Sequence, residues 1–427
     1  MVIFCFFVKY TQFFLTFVFM RINFVSLTVC AVLLTAVGGC RMHTETGHAT
    51  IPVVERILGD PECREARILA SFDPRNTQGD IILIDSPERS FILSEALVNC
   101  DARDNIDGKP GPDQLPDFAG ERITTLIDLL YPPYNRFIES DNLDALREIA
   151  VRAVISAVDT ACCLGPYDHE FRSSKPAAKL LVLSSPYLVA YGGFDVDTLF
   201  RASGIRVPVV SAPVVMMERA LSMHEGAVLF GMLSDGATAK SGVYQEIFKD
   251  LARKRGDAVS RVFSFNVDEE DGTSALDTLT APQPDLLKRV LDQFARSGES
   301  RALNALVVDD ASVSVEGLRA SYNSILYSPS EENAYYRKMV SKDFAIIDGL
   351  AAVTDACYDF LRGNNLFTHN IAYPDADAYV TSPEGGGFTL MDFDFNDIPV
   401  EMATLMGKLA PKTKRLYVQD QHKARGN

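Results

Sequence analysis

From about Ile51 onward, short apolar runs alternate with longer amphipathic segments. Runs of strand length are Ile81–Ile84, Leu180–Leu183, Val207–Val210, Ala227–Phe230, Ala305–Val308 and Phe344–Ile347, none of which has a polar face. Between several of them, Asn142–Val158, Pro284–Ala295 and Leu350–Arg362 carry apolar residues at helical spacing. Such alternation predicts an α/β protein whose mainly parallel sheets are covered on both sides. Ligands in these sheets lie beyond the C-terminal ends of the strands, so the residues just after each run are where chemistry is expected.

Two segments break the pattern. Asp101–Asp117 is rich in Asp, Gly and Pro, and Val267–Gln283 in Asp, Glu, Thr and Pro, so both read as inserted surface loops. The N-terminal pattern is different in kind. From Met20 the chain has a cation at Arg21, an apolar run Phe24–Val37, and small residues before Cys40. That is a charged region, a hydrophobic region and a cleavage site, too short for a spanning helix. Val37-Gly38-Gly39-Cys40 resembles a lipobox, which implies that Cys40 is acylated and becomes the first residue of a mature bacterial lipoprotein. Residues 1–39 are then a signal peptide, with Met20 the suspected start, and 40–50 a lipidated tether. The lipid would hold the protein to a membrane in the cell envelope, on the periplasmic side or the cell surface, with its body in water.

The formal charge of −16 becomes −18 once Lys9 and Arg21 are removed with the leader, which contains no acid. Nucleic acid is therefore not an expected partner, because phosphate binding needs a basic face. Beyond Cys40 there are five cysteines, at 63, 100, 162, 163 and 357. Export permits disulfides, an odd count leaves at least one thiol out, and the spacing does not give a connectivity. No cysteine pair has zinc-ligand spacing with histidines, so no metal is expected. Cys357 reads as an apolar helix position, and Met391–Asp397, which lacks the pattern of a calcium loop, as a solvated tail segment.

The segment Phe230–Phe248 resembles the part of glutamate racemases in which a strand ends in glycine and a Thr-x-x-Ser-Gly-x-Tyr run follows; here these are Gly231, Thr238, Ser241, Gly242 and Tyr244. Other segments follow in the family's order. Ile81–Ser86 is similar to its first strand and Asp-Ser turn, and Asp128 with Pro133-Tyr134-Asn135 to its Asp-x4-Pro-Tyr-Gly. Lys179–Ser185 and Ala305–Ser312 fall where its two strands end in catalytic cysteines. Ile205–Ala212, the helix from Ile346 to Leu361 and Tyr379–Glu384 complete the series. The chain thus resembles the Asp/Glu racemase superfamily, glutamate racemase most closely, over about Ile81 to Glu384. The resemblance implies two α/β domains, the second inserted in the first, with a cleft between them. Residues 51–206 plus 325–427 would form the first domain and 207–324 the second. It implies no cofactor.

Racemisation removes the α-proton on one face and returns it on the other, and the family does this with two thiols whose pKa lies close enough to neutrality for both protonation states. Here the first thiol position aligns to Ser185, followed by Pro186 and Tyr187. The second aligns to Asp310, give or take one residue. A serine hydroxyl without a neighbouring base is too weak, and an aspartate near pKa 3.9 is a poor acid for the return step. Asp309 beside it could raise that value, while both could equally end a strand and cap a helix. Cys162 and Cys163 are not read as substitute thiols, nor His169 as the missing base. Retained are Asp85, Ser86, Pro133, Tyr134 and Thr238 at positions that surround substrate in the family. Asn135 stands for a turn glycine and is expected to keep positive φ; Pro87 replaces a glycine and removes a backbone donor. The reading is a racemase-like fold without two-cysteine activity that binds a small carboxylate or amino acid. The alternative is an active isomerase or lyase that uses Asp85 and Asp310.

Overall fold

The computed structural model describes residues 49–128, 130–162, 173–267, 286–370, 372–381 and 390–392. The leader, Cys40, Cys163, His169, most of the Val267–Gln283 loop and Pro383–Glu384 lie outside them. The described residues from Ile51 onward form one compact unit. Two short helices not foreseen from the pattern, α1 (Pro52–Gly59) and α2 (Arg64–Ala70), precede the first strand.

The first half of the chain supplies β1 (Asp80–Asp85), α3 (Pro87–Val98), β2 (Arg122–Ile127), α4 (Asn135–Glu139) and α5 (Leu143–Val158). A small antiparallel hairpin, β3 (Ala161–Cys162) with β4 (Ser173–Ser174), leads to β5 (Ala178–Leu183), α6 (Pro186–Ser203), β6 (Val209–Ser211) and α7 (Ala212–Ser222). Next come β7 (Leu229–Ser234), α8 (Gly236–Ser241), α9 (Val243–Arg255), β8 (Arg261–Asn266), α10 (Leu286–Arg296) and β9 (Leu303–Val308). The last described elements are α11 (Val315–Tyr327), α12 (Glu331–Arg337), β10 (Val340–Asp348), α13 (Gly349–Gly363), β11 (Asp375–Thr381) and β12 (Leu390–Asp392).

They build two sheets, ordered β12-β11-β2-β1-β5-β6 and β10-β9-β7-β8. Every pairing in them is parallel except β11 with β12. The fold is therefore the expected α/β one, with the second sheet's strands inserted between β6 and β11. The expected boundaries do not follow the sheets. Val209–Ser211 lies beyond 206, yet it hydrogen-bonds to β5 in the first sheet. Val340–Asp348 lies beyond 324, yet it pairs with β9 in the second. Short runs of Val and Ile fit either sheet, and only pairing decides which. The two final residues of the expected Ala227–Phe230 run do begin β7, which continues to Ser234. Met391 and Asp392 form an edge strand rather than a solvated tail.

Continuous apolar strands are buried on both faces. Ile81, Ile82 and Leu83 have no exposed surface, and neither do Leu180, Leu181 and Val182 beside them. Truncating any of these to alanine should cost about 2–5 kcal/mol. α10 buries Leu286, Leu287, Val290, Leu291 and Phe294, a stripe at helical spacing that closes the outer side of the second sheet. Close approach fixes two glycines. A Cβ on Gly231 would sit 2.2 Å from the Phe265 ring, and one on Gly349 would sit 2.3 Å from the Val308 carbonyl oxygen. The Asp101–Asp117 segment is an ordered loop, its backbone amides held by Asp101, Asp104, Asp113 and Asp117 carboxylates.

Candidate functional site

The C-terminal ends of strands from both sheets open onto one cavity of about 730 Å³. β1 delivers Asp85, β2 Asp128, β5 Ser184 and Ser185, β7 Asp235, β9 Asp309 and Asp310, and β10 Asp348. Backbone hydrogen bonds carry the ladders to these ends: Asp128 N donates to Asp85 O at 3.2 Å, and Asp309 N to Leu233 O at 2.8 Å. Every residue read from the sequence as catalytic or substrate-binding lines this one cavity: Asp85, Ser86, Pro133, Tyr134, Asn135, Ser185, Thr238 and Asp310. Sequence order alone separates them by more than two hundred residues; parallel strand topology brings them together.

What each does locally differs from its expected role in several cases. Ser185 is the N-cap of α6, its buried hydroxyl accepting from Leu188 N at 3.5 Å, with Pro186 opening the helix. Ser185 thus serves as a helix cap. Asp310 takes Ser312 N at 2.8 Å and the Ser312 hydroxyl at 2.5 Å, so it organises its own turn. Asn135 is the first residue of α4 with ordinary helical backbone, and its amide donates to Glu139 Oε1 at 2.9 Å. The positive φ expected at Asn135 is corrected: the chain enters a helix at this residue. Tyr134 is buried, its hydroxyl donating to Asp128 Oδ2 at 2.7 Å and its ring 6.2 Å from that of Tyr187. Pro87 opens α3, where a missing N–H leaves no broken bond. Asp235 caps α8 by accepting from Thr238 N at 2.9 Å, and the Tyr187 hydroxyl donates to the Thr238 hydroxyl at 3.3 Å.

Sequence reasoning missed Arg89. Its guanidinium, a quarter exposed, spans the cavity from α3. Nε lies 3.2 Å from Asp85 Oδ2, Nη2 meets Asp309 Oδ1, and Nη1 donates to the Asp309 carbonyl oxygen at 3.3 Å. The other Asp309 oxygen accepts from the buried Tyr244 hydroxyl. Arg89 thus ties the end of the first sheet to the end of the second. Its spacing from Asp85, four residues, is the one available signal, and it would have read as a surface pair on a helix. Of the two aspartates that follow β9, both of which line the cavity, Asp309 is the one that Arg89 and Tyr244 engage.

The electrostatics are one-sided. Among the described residues the lining carries seven acidic groups, Asp85, Asp128, Asp235, Asp309, Asp310, Glu316 and Asp348, against the single base Arg89. Burial pushes the Asp85 carboxyl up to about 6 although Arg89 and the Ser86 amide, 2.6 Å from Oδ1, favour its charged form. Burial likewise raises Asp309 and Asp310, against the pull of Arg89 on both. Asp85 Oδ2 is buried with no aligned hydrogen bond, Arg89 being its neighbour in ionic contact. A carboxyl with these surroundings can hold or release a proton near neutral pH. No cysteine is among the described residues that line the cavity: Cys162 sits in β3, and Cys357 is fully buried in α13 as expected. Among the described residues, no group of three or more His, Cys, Asp or Glu side chains could hold a metal ion.

No family model matches the chain, and no curated protein does. Among solved structures it is similar to a glutamate racemase isoform from Bacillus anthracis, at 14% identity over 72% of this chain and 90% of that one, with a TM-score of 0.44. It is also similar to glutamate racemase from Thermus thermophilus in complex with β-chloro-D-alanine, at 14% identity over 78% and 94% of the two chains, TM-score 0.43. Likeness at this level leaves the chemistry to be argued from the cleft's own residues.

Proposed function

We propose that this protein is an envelope lipoprotein of racemase-like fold that binds a small amino acid or carboxylate in the cleft and does not racemise it by the two-thiol route. One observation carries the reading: Ser185 and Asp310 face the same cavity, each already engaged with a neighbouring backbone amide, and no described lining residue is a thiol. An amino acid suits the lining best. Its ammonium would meet Asp85 and the other carboxylates, and its carboxylate would meet Arg89, the one cation among the described lining residues. The acylated Cys40 would keep the binding domain at a membrane surface. No described helix is long and apolar enough to cross a membrane.

The test is incubation of the full chain with each enantiomer of glutamate and aspartate in deuterated water. The expected result is no deuterium at the α-carbon. Thermal shift against a panel of amino acids and small carboxylates should find a ligand, and Arg89→Met should weaken its binding at least about tenfold. Exchange at the α-carbon would instead support the second reading, an active isomerase or lyase. That reading is favoured by the Asp85 carboxyl near 6 and opposed by the Asp310 side chain being held in its own turn.

A further inference from the structure

On the binding reading above, we infer that the ligand of the cleft is an amino acid with one carboxylate and an apolar side chain, in the class of leucine or phenylalanine, and not glutamate or aspartate. The cavity, of about 730 Å³, has two unlike ends. Around the end of β1 it is polar. Arg89 Nε lies 3.2 Å from Asp85 Oδ2, Asp128 N donates to Asp85 O at 3.2 Å, and Ser86 follows Asp85 directly. The other end is hydrocarbon. Leu93 on α3, Met216 on α7, Val308 on β9, and Leu350 and Val353 on α13 all line the cavity. Leu93, Met216 and Val353 belong to one hydrophobic cluster, and Leu350 packs against it. They meet because α13 packs on both α3 and α7. Gly349, which opens α13, permits the close approach: a Cβ there would sit 3.0 Å from the Met216 sulfur and 2.3 Å from the Val308 carbonyl oxygen. Leu93 stands one helical turn beyond Arg89 on the same face of α3, and its side chain leans back toward the Arg89 turn. A ligand whose carboxylate is held by Arg89 therefore has this apolar wall within side-chain reach.

The acids around the cavity disfavour a second carboxylate. Most are engaged by the chain itself. Asp128 accepts from Leu130 N at 3.0 Å and from the Tyr134 hydroxyl at 2.7 Å, and Asp310 from Ser312 N at 2.8 Å. Asp235 and Asp348 cap helices, accepting from Thr238 N at 2.9 Å and Ala351 N at 3.1 Å. Together they make the cavity negative, with Arg89 the sole cation among the described lining residues. Arg89 can take one ligand carboxylate. The side-chain carboxylate of glutamate or aspartate would then stand among aspartates with no cation left, partly removed from water, where like charges repel strongly. The ligand ammonium meets no such penalty. An apolar side chain gains from the hydrocarbon wall, by about fourfold in affinity for each methylene it buries.

The experiment is calorimetric titration of the full chain at neutral pH with both enantiomers of alanine, leucine, phenylalanine, glutamate, aspartate and lysine. In at least one enantiomer, leucine or phenylalanine should bind at least about tenfold tighter than alanine, and at least about tenfold tighter than glutamate or aspartate. Leu350→Asn puts an amide on the half-buried edge of the apolar wall and should shrink the leucine-to-alanine affinity ratio at least about threefold. The wild-type ligand series stands by itself if that variant does not fold. Glutamate or aspartate binding as tightly as leucine and phenylalanine overturns the inference and leaves the binding reading intact. Lysine binding tightest, equal affinity for alanine and leucine, or an unchanged ratio in folded Leu350→Asn does the same. Binding of no amino acid in the series overturns both.

Discussion

The two ends of the first sheet both hold buried charge, and they treat it differently. At the N-terminal end Lys179, almost fully buried, donates to the Thr77 and Leu366 carbonyl oxygens at 3.0 Å each and pairs with the Glu121 carboxylate. Nearby, Lys175 donates to Ala157 O at 2.7 Å, and Asp80 accepts from the Thr124 hydroxyl at 2.5 Å. Acids and bases there nearly balance within the chain. At the C-terminal end, among the described residues, seven acids line the cavity with one guanidinium, Arg89. A balanced buried cluster is part of the architecture; an unbalanced one beside a cavity marks a candidate site.

The contrast can be broken at either end. The largest effect is expected from Lys179→Met, which leaves Glu121 buried without its counter-ion and should cost about 3–5 kcal/mol in urea unfolding. A change much under 1 kcal/mol would mean the sheet's base tolerates unpaired charge as the cleft does. Next is Asp85→Asn, with the opposite sign. Because burial raises Asp85 from 3.8 to about 6, the folded protein holds this proton more tightly than the unfolded chain. Its stabilising contribution is complete below about pH 4 and is lost as pH rises through about 6. The loss amounts to about 3 kcal/mol, so the asparagine variant should be more stable than wild type at pH 7 by that order, with the gap closing near pH 4. Asp80, also raised to about 6, should give wild type and variant alike a further decline over the same window.

Ser185→Ala should cost about 1 kcal/mol, the value of an N-cap, with ligand binding little changed. A loss of binding with intact stability would show that the hydroxyl serves the ligand rather than α6. The smallest effect is expected from Ser185→Cys. It introduces one thiol into the cavity while Asp310 remains engaged with Ser312, so no α-carbon exchange should be detectable. Exchange in this variant would make Asp310 or Asp85 a competent partner base.

Much of this site was legible along the chain because strand ends are. An apolar run followed by Asp-Ser, Ser-Ser or Asp-Asp marks where a parallel strand stops, and Asp85, Ser86, Ser185 and Asp310 lie at such stops; Pro133, Tyr134, Asn135 and Thr238 were picked out by the resemblance, and Asn135 and Thr238 lie in helices. Their roles were less legible. Ser185 reads the same whether it caps a helix or meets a ligand, and Asp309 and Asp310 are adjacent, so alignment could not choose between them. Arg89 was invisible because its partner Asp309 is distant in sequence, and an arginine four residues after an aspartate is ordinary on any helix surface.

The sequence by itself determined the α/β class and the parallel sheets, since these follow from local periodicity and turn chemistry. Tertiary structure alone decided which sheet Val209–Ser211 and Val340–Asp348 join, and that Arg89 closes the cavity on Asp309. It also decided that the carboxyl of Asp85 sits near 6, because pairing across distant segments and removal from water are not properties of any segment taken alone.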